Sequence, residues 1–387
     1  MQLSRFLSAV LIALLSGLLV FGVGTIFQVP APHTDLPATL AQLWAGEARF
    51  VRVGTLKWHG VVDEQAGSVV VSQGIWYVFN RATAPIISPE CGHDHTRMVA
   101  RSSRDHGKTW SDPVTVVDPS RGPGGVICAV LDGSAVFDVQ SSTWHLLAQC
   151  LGEGDAGWSL CHYTRHSFSP LGRFITDQSN PVVRGGTFWS RLCSGPDKAC
   201  STTTRDEGTP DIAARRGSSY TVTFHGFDPM SRQGFRGVAT TLDFRHWDLI
   251  GPDLPADATL GPQDCRTWLY GCAGVGEATS IDDLAGNYRY TIAEVMTKSL
   301  QCTPGQQWQF ELLRSSVDRW PRSGSPEWQR LPGGTLITTA YPSPTAKCPV
   351  QYARLFRDGE AIYLVYEDWD RTHGTIDRPL MILEQFH

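Results

Sequence analysis

One unit recurs five times along this chain, at a spacing near 70 residues, and that recurrence limits the folds open to it. Each copy is a strand, a tight turn and a second strand rich in aromatic and β-branched residues. The copies read GSVVVSQGIWYVFNR at 67–81, SAVFDVQSSTWHLLAQC at 134–150, PDIAARRGSSYTVTFHG at 210–226, ATSIDDLAGNYRYTIAEV at 278–295 and QYARLFRDGEAIYLVYED at 351–368. Their turns centre on Gly74, Ser142, Gly217, Gly286 and Gly359, which lie 68, 75, 69 and 73 residues apart. A third strand follows each copy (HTRMVARSS, LCHYTRHS, RGVATTLD, FELLRSS and RPLMILE), and after the first four a turn ends in an aromatic residue. A unit of about four strands is the size of a propeller blade. A lone blade cannot bury both its faces, whereas five around an axis can. The expectation is an all-β, five-bladed β-propeller of four-stranded antiparallel blades. The last unit runs out of chain after its third strand. The segment RFVRVGTLKWHGVV at 49–62 is expected to supply the missing strand, closing the ring and removing the open sheet edges.

Composition agrees with many short strands joined by turns: 38 Gly, 24 Pro and 13 Trp, with only 18% charged residues. The net charge of -5 and the absence of any basic block exclude an electrostatic footprint for nucleic acid. Arg5 precedes an uncharged run from Phe6 to Val29, long enough to span a bilayer. Residues 1–29 therefore read as a signal peptide or an N-terminal membrane anchor, 30–47 as a tether, and 48–387 as the propeller. All ten cysteines follow that run and none forms a C-x-x-C pair, so disulfides in an oxidising compartment are expected rather than a zinc or redox site. The pairs Cys193/Cys200 and Cys265/Cys272 read as loop staples. Cys91–Cys128, Cys150–Cys161 and Cys302–Cys348 are the expected remainder. The chain is thus expected outside the cytoplasm, either secreted or held by a single N-terminal helix.

The first blade turn, SRDHGKTW at 103–110, fits S-x-D-x-G-x-T-W at every fixed position. It resembles the Asp box of sialidases and related propellers, where the Asp and Ser cap a turn, the Gly supplies φ > 0 and the Trp packs between sheets. Asp105 is accordingly read as structural. TTLDFRHWD at 240–248 and HSFSPLGRF at 166–174 resemble degenerate forms of the same turn in five-bladed arabinanase- and xylosidase-like glycosidases. VGEATSIDDLAGNYRYTI at 275–292 and QYARLFRDGEAIYLVYE at 351–367 resemble the sialidase blades that carry a catalytic Glu and a nucleophilic Tyr. That resemblance implies Glu277 and Tyr352 in those roles, with Asp94 as acid/base. The alternative resemblance, to the five-bladed glycosidases, implies Asp63, Asp211 and Glu277. Where the sialidase family keeps carboxylate-binding arginines, this chain has DEQAGSVVV and Ile292-Ala293-Glu294.

In a propeller the innermost strands begin around one end of the axis. Asp63/Glu64, Asp132, Asp211, Glu277 and Tyr352 stand at those starts. Glycosidic cleavage needs one protonated carboxyl and a second group as base or nucleophile, and crowded carboxylates push their pKa values apart. Asp63 and Asp132 have an equal reading as turn caps, and Tyr352 as strand packing. Asp132 and Arg81, which ends a second strand, are candidate substrate-binding residues. His93, Asp94 and His95 form a polar lip or a sparse metal site, and Trp158, Trp189 and Trp268 are candidate sugar-stacking residues. No ligand spacing for an axial calcium ion is legible and no cofactor is expected. The functional expectation is an extracytoplasmic glycoside hydrolase acting in the axial pocket. The alternatives are a glycan-binding propeller without catalysis and a structural surface module.

Overall fold

A computed structural model describes residues 37–57, 67–92, 95–155, 157–194, 200, 202–230, 233–254, 275–296, 308–320, 327–341, 350–370 and 373–386. The chain opens with helix α1 (Leu40–Ala45), capped by Thr39, whose side chain accepts from the Gln42 amide while Gln42 bonds back. Strand β1 (Ala48–Thr55) follows. Blade 1 comprises β2 (Val69–Ser72), β3 (Ile75–Thr83), β4 (Thr96–Ser103) and β5 (Val114–Val117). Blade 2 comprises β6 (Ser120–Gly122), β7 (Gly125–Asp138), β8 (Thr143–Gly152), β9 (Ser159–His166) and β10 (Ile175–Thr176), with α2 (Thr187–Ser194) after it. Blade 3 holds β11 (Arg205–Arg216), β12 (Ser219–Asp228), β13 (Gln233–Thr241) and β14 (Trp247–Pro252). Blade 4 holds β15 (Val275–Asp283), β16 (Tyr288–Met296), β17 (Trp308–Ser316) and β18 (Gln329–Thr338). Blade 5 holds β19 (Val350–Asp358), β20 (Ala361–Asp370), β21 (Thr375–Asp377) and β22 (Pro379–Gln385).

Five antiparallel sheets result, and the expected closure is present: β1 pairs with β22 from Ala48↔Gln385 to Thr55↔Pro379. Residues 37–47, read from sequence as the end of a tether, instead include α1. Leu40 and Leu43 of that helix are buried with Tyr290, Phe310 and Leu364.

Burial follows the two-residue period of the strands, with both faces covered because each blade is sandwiched. On β8, Trp144, Leu146, Ala148 and Cys150 pack with Tyr77, Phe79 and Met98 of blade 1. Leu147 points the other way, into a cluster with Val222 and Phe224 of blade 3. Three further clusters fill the remaining interfaces, the last joining Trp76 of blade 1 to Phe356, Val365 and Leu380 of blade 5. Trp76 also donates its indole N–H to Asp358 at 2.8 Å, fastening that seam.

The turn at 103–110 is held by its own side chains. Asp105 accepts from the Thr109 amide (2.9 Å), the Thr109 hydroxyl (2.6 Å) and the Ser103 hydroxyl (2.8 Å), and the Gly107 amide donates to Ser103 Oγ at 2.9 Å. Gly107 has φ +82°, and an added Cβ would meet the Trp76 ring at 3.0 Å. The Thr109 bonds hold Asp105 down at about 2. Thr241 and Asp243 repeat the arrangement in blade 3, accepting the amides of Phe244, Arg245 and His246.

Disulfides Cys91–Cys128, Cys150–Cys161 and Cys193–Cys200 form as expected and point to an oxidising compartment. The expected pairs Cys265–Cys272 and Cys302–Cys348 and the 6–29 run lie outside the described residues. Among the described residues no helix is long and apolar enough to cross a membrane.

Candidate functional site

Four innermost strands carry a β-bulge near their beginning. The displaced residues are Asp132 in β7, Thr209 and Pro210 in β11, Gly276 and Glu277 in β15, and Tyr352 and Ala353 in β19. Bulges re-aim side chains out of the sheet plane. Asp132, Thr209 and Tyr352 sit in the left-handed region, with φ of +40°, +32° and +57°, a conformation non-glycine residues adopt only when surroundings hold them there.

Two sets of polar side chains accompany the bulges. The residue opposite the fifth position of each second strand is Ser68, Ser134, Asp211, Thr279 and Arg354 in blades 1 to 5. These residues bridge blades: the Ala135 amide donates to Ser68 Oγ, Ser134 Oγ to Asp211 Oδ1 and the Leu355 amide to Thr279 Oγ1, each at 3.3 Å. The seventh position of each second strand is Arg81, Gln149, His225, Glu294 and Glu367. All five are polar.

A cavity of about 710 Å³ opens among these positions, lined by Arg81, His95, Asp132, Gln149, Trp158, Asp206, His225, Tyr352 and Trp369. Asp132, only 7% exposed, accepts from Gln149 Nε2 at 3.1 Å and faces Arg81 Nη1 at 3.4 Å. Burial raises its pKa against the pull of Arg81 and Arg354. The Arg81 guanidinium lies 5.7 Å from the centre of the Tyr352 ring. Burial and the charge of Asp132 raise the Tyr352 hydroxyl well above its ordinary value, so it faces the cavity as a neutral phenol. Burial and the neighbouring Arg236 hold His225 down at about 3, and it is neutral too. Asp206 accepts the Trp158 amide at 2.9 Å, and its pKa is raised by burial.

Next to Tyr352 lies a sealed charge cluster. Glu277 is 3% exposed and does not line the cavity; its Oε1 is ion-paired with Arg354 Nη2. Oε2 of Glu277 has no hydrogen-bond partner among the described residues. Glu294 ties two bulges together: its Oε2 accepts the Glu277 amide at 3.1 Å and its Oε1 the Tyr352 amide at 2.5 Å. Burial raises both glutamates, and their mutual repulsion adds to the effect on Glu277 while Arg354 opposes it. Arg236, fully buried, fixes the third bulge by donating to Thr209 O (3.2 Å), Thr209 Oγ1 (3.0 Å) and Thr223 Oγ1 (2.7 Å).

The structure therefore separates the residues that sequence grouped. Arg81, Asp132 and Tyr352 line the cavity, Glu277 is buried and outside its lining, and Asp211 is half-buried against Ser134. Asp63, Asp94, His93 and Trp268 lie outside the described residues. Trp158 lines the cavity, but Trp189 does not: it is fully buried in α2, packed so closely on Gly226 that a Cβ there would meet its ring at 2.1 Å. Gln149, Asp206, His225 and Arg354 were not singled out from sequence, and Glu294 only as standing where an arginine might be sought. For all of these but Asp206, the shared position counted from each hairpin turn was the available signal. Among the described residues no three metal-ligating side chains converge.

No protein-family model matches the chain, and no curated protein matches its sequence. Solved structures do match in fold. BT0996, solved as an RGII complex, superposes with a TM-score of 0.57 at 11% identity, over 90% of this protein and 95% of that one. CoXyl43, a GH43 β-xylosidase/α-arabinofuranosidase from a compost microbial metagenome, superposes at 0.53 and 11% identity over 87% and 94%. The α-L-arabinofuranosidase PaAbf62A from Podospora anserina superposes at 0.50 and 12% identity over 88% and 98%. The chain is similar to these proteins as a five-bladed propeller.

Proposed function

We propose that the chain is an extracytoplasmic, carbohydrate-active propeller that takes a glycan into the cavity at the axis, with glycoside hydrolysis as its reaction. The observation that carries this reading is the convergence of bulged inner-strand starts from adjacent blades on one cavity. That cavity holds two carboxyls of raised pKa, Asp132 and Asp206, beside the neutral Tyr352 and the aromatic Trp158 and Trp369. Hydrolysis needs one protonated carboxyl and one ionised partner. Asp206, without a facing cation as close as Arg81 is to Asp132, suits the acid, and Asp132 the base. Apolar ring faces beside hydrogen-bonding groups suit sugars. The resemblance to glycosidases in fold supports the class, and the resemblance to sialidases assigns Tyr352 and Glu277 instead.

One observation favours a second reading, glycan binding without turnover: Glu277, which both family resemblances make catalytic, is sealed and neutralised by Arg354. Turnover of aryl arabinosides, xylosides, galactosides and sialosides by the oxidised protein tests the two, with Asp132→Asn and Glu277→Gln alongside. Hydrolysis lost in Asp132→Asn and kept in Glu277→Gln supports the assignment made here. Loss in Glu277→Gln alone restores the sialidase-like assignment, and no turnover with saturable glycan binding establishes the second reading.

A further inference from the structure

We propose that the glycan taken into the axial cavity is an oligosaccharide, and that its far residues lie in a second cavity on blade 5, a distal binding site contiguous with the first. The proposal rests on the axial cavity being the carbohydrate site. The second cavity, of about 670 Å³, is lined by Arg52, Thr55 and Lys57 at the end of β1, by Tyr341 after β18, and by Thr375 and Asp377 of β21. Ile376 lines both cavities and forms the ridge between them. The register of β20 and β21 explains the shared wall. Trp369 stands opposite Ile376, and Asp368 opposite Asp377. Residues directly opposite share a face, and successive ones alternate. Trp369 thus turns to the axial cavity and Asp377 to the second.

The two cavities lie along one radius of the blade. β20 is its second strand, β21 continues into the third through Arg378, and β1 is the fourth. The Leu56 amide donates to Arg378 O at 2.8 Å, which sets the end of β1 beside β21. From Trp369 to Lys57 is therefore about two strand spacings, on the order of 10 Å. One sugar ring held against Trp369 does not cover that span, whereas a chain crossing Ile376 does.

The second cavity is built from fixed parts. Asp368, only 2% exposed, accepts the Thr339 hydroxyl and, at 2.9 Å, the Ala340 amide, and so holds Tyr341 of blade 4 against blade 5. Arg52 donates twice to Asp377, at 2.9 and 3.0 Å, with its side chain still 48% exposed. Arg378 is matched by Glu367 at 3.0 Å. Lys57 is exposed and has no ion-pair partner among the described residues. A tyrosine ring beside a matched Arg–Asp pair offers stacking together with both donors and acceptors, the chemistry that suits hydroxyl-rich sugar residues.

The test is calorimetric titration of the oxidised chain with arabinose, xylose and galactose oligosaccharides, each series running from methyl glycoside to pentasaccharide. Affinity for the sugar that binds should rise at least about tenfold from the shortest to the longest member. Tyr341→Ala with Lys57→Ala should abolish that gain while the shortest ligand binds as before. Lys57→Ala alone, at an exposed position, should reduce the gain without changing the thermal melt. Affinity that does not rise with length, a gain that survives the double variant, or a loss in Lys57→Ala shared equally by short and long ligands overturns the proposal and leaves the axial cavity as a carbohydrate site. Binding of no sugar at any length removes the carbohydrate reading itself, and the proposal with it.

Discussion

Replacing Arg354 by methionine tests how the sealed cluster is balanced. Arg354 and Glu277 have side chains only 6% and 2% exposed, so their charges are compensated almost wholly by each other and by neighbouring buried groups. Removing one partner of a buried pair strands the other, at a cost of about 3–5 kcal/mol. For a domain of this size that is a fall in Tm on the order of 5–10 °C. The pH dependence gives the sharper readout. Burial already raises the Glu277 pKa and Arg354 opposes that rise, so the variant's Glu277 should rise further. A carboxyl whose folded pKa lies above its unfolded value binds more protons folded, so stability falls as pH increases through that window. The deficit of Arg354→Met should therefore stay nearly constant below about pH 8, where Glu277 holds its proton in both proteins, and grow as pH rises above that. Adding Glu277→Gln should recover much of it. Thermal unfolding of the four proteins of this cycle, across pH, is the assay. An unchanged Tm for Arg354→Met, or a deficit that does not grow above about pH 8, would refute the reasoning.

Other outcomes follow from the same structure. Trp189→Ala should destabilise by about 3–5 kcal/mol in chemical denaturation, while Trp158→Ala should leave stability nearly unchanged and weaken glycan binding measured by calorimetry. Replacing Cys91 and Cys128 by alanine opens a link spanning 37 residues, at a cost of about 3–4 kcal/mol in the chain-entropy view, read as a lower denaturation midpoint. His145, held down at about 4 by burial and by the adjacent His162, takes up protons more readily when unfolded, so stability should fall as pH drops from about 6.5 toward 4. His145→Gln should flatten that fall in pH-dependent thermal melts.

The blades were legible because each hairpin turn is marked in sequence by glycine or small polar residues between strands of the same pattern. Gly74, Gly217 and Gly359 take positive φ as such turns require; in blade 4 that role falls to Asn287, one residue after Gly286. The site was legible only where counting along a strand survives its irregularities. Asp132, Glu277 and Tyr352 were found because each begins an innermost strand. Asp211 also begins one, but a second bulge in β11, between Ile212 and Ala214, shifts its register and leaves Thr209 at the bulged position. No feature of local sequence announces such an inserted residue. Arg354 looked like an ordinary strand residue two places after Tyr352. Only the closed ring sets it against Glu277 of the neighbouring blade. Glu294 was noticed merely as standing where an arginine might be sought, and its role, bonding two bulge amides at once, needs both blades in place. Trp189 misled because a Gly- and Cys-bounded stretch read as an exposed loop, whereas Glu207 accepts the amides of Gly186 and Phe188 at the start of α2 and fixes the helix against blade 3.

The most direct measurement is glycan binding by the oxidised chain, screened on a glycan array and followed by titration of each hit with Arg81→Ala, Asp132→Asn and Trp158→Ala. A glycan ligand whose affinity falls at least about tenfold in these variants, with folding retained, is the result expected of a carbohydrate site in this cavity. No glycan bound at all, or one bound equally well by all three variants, would contradict it.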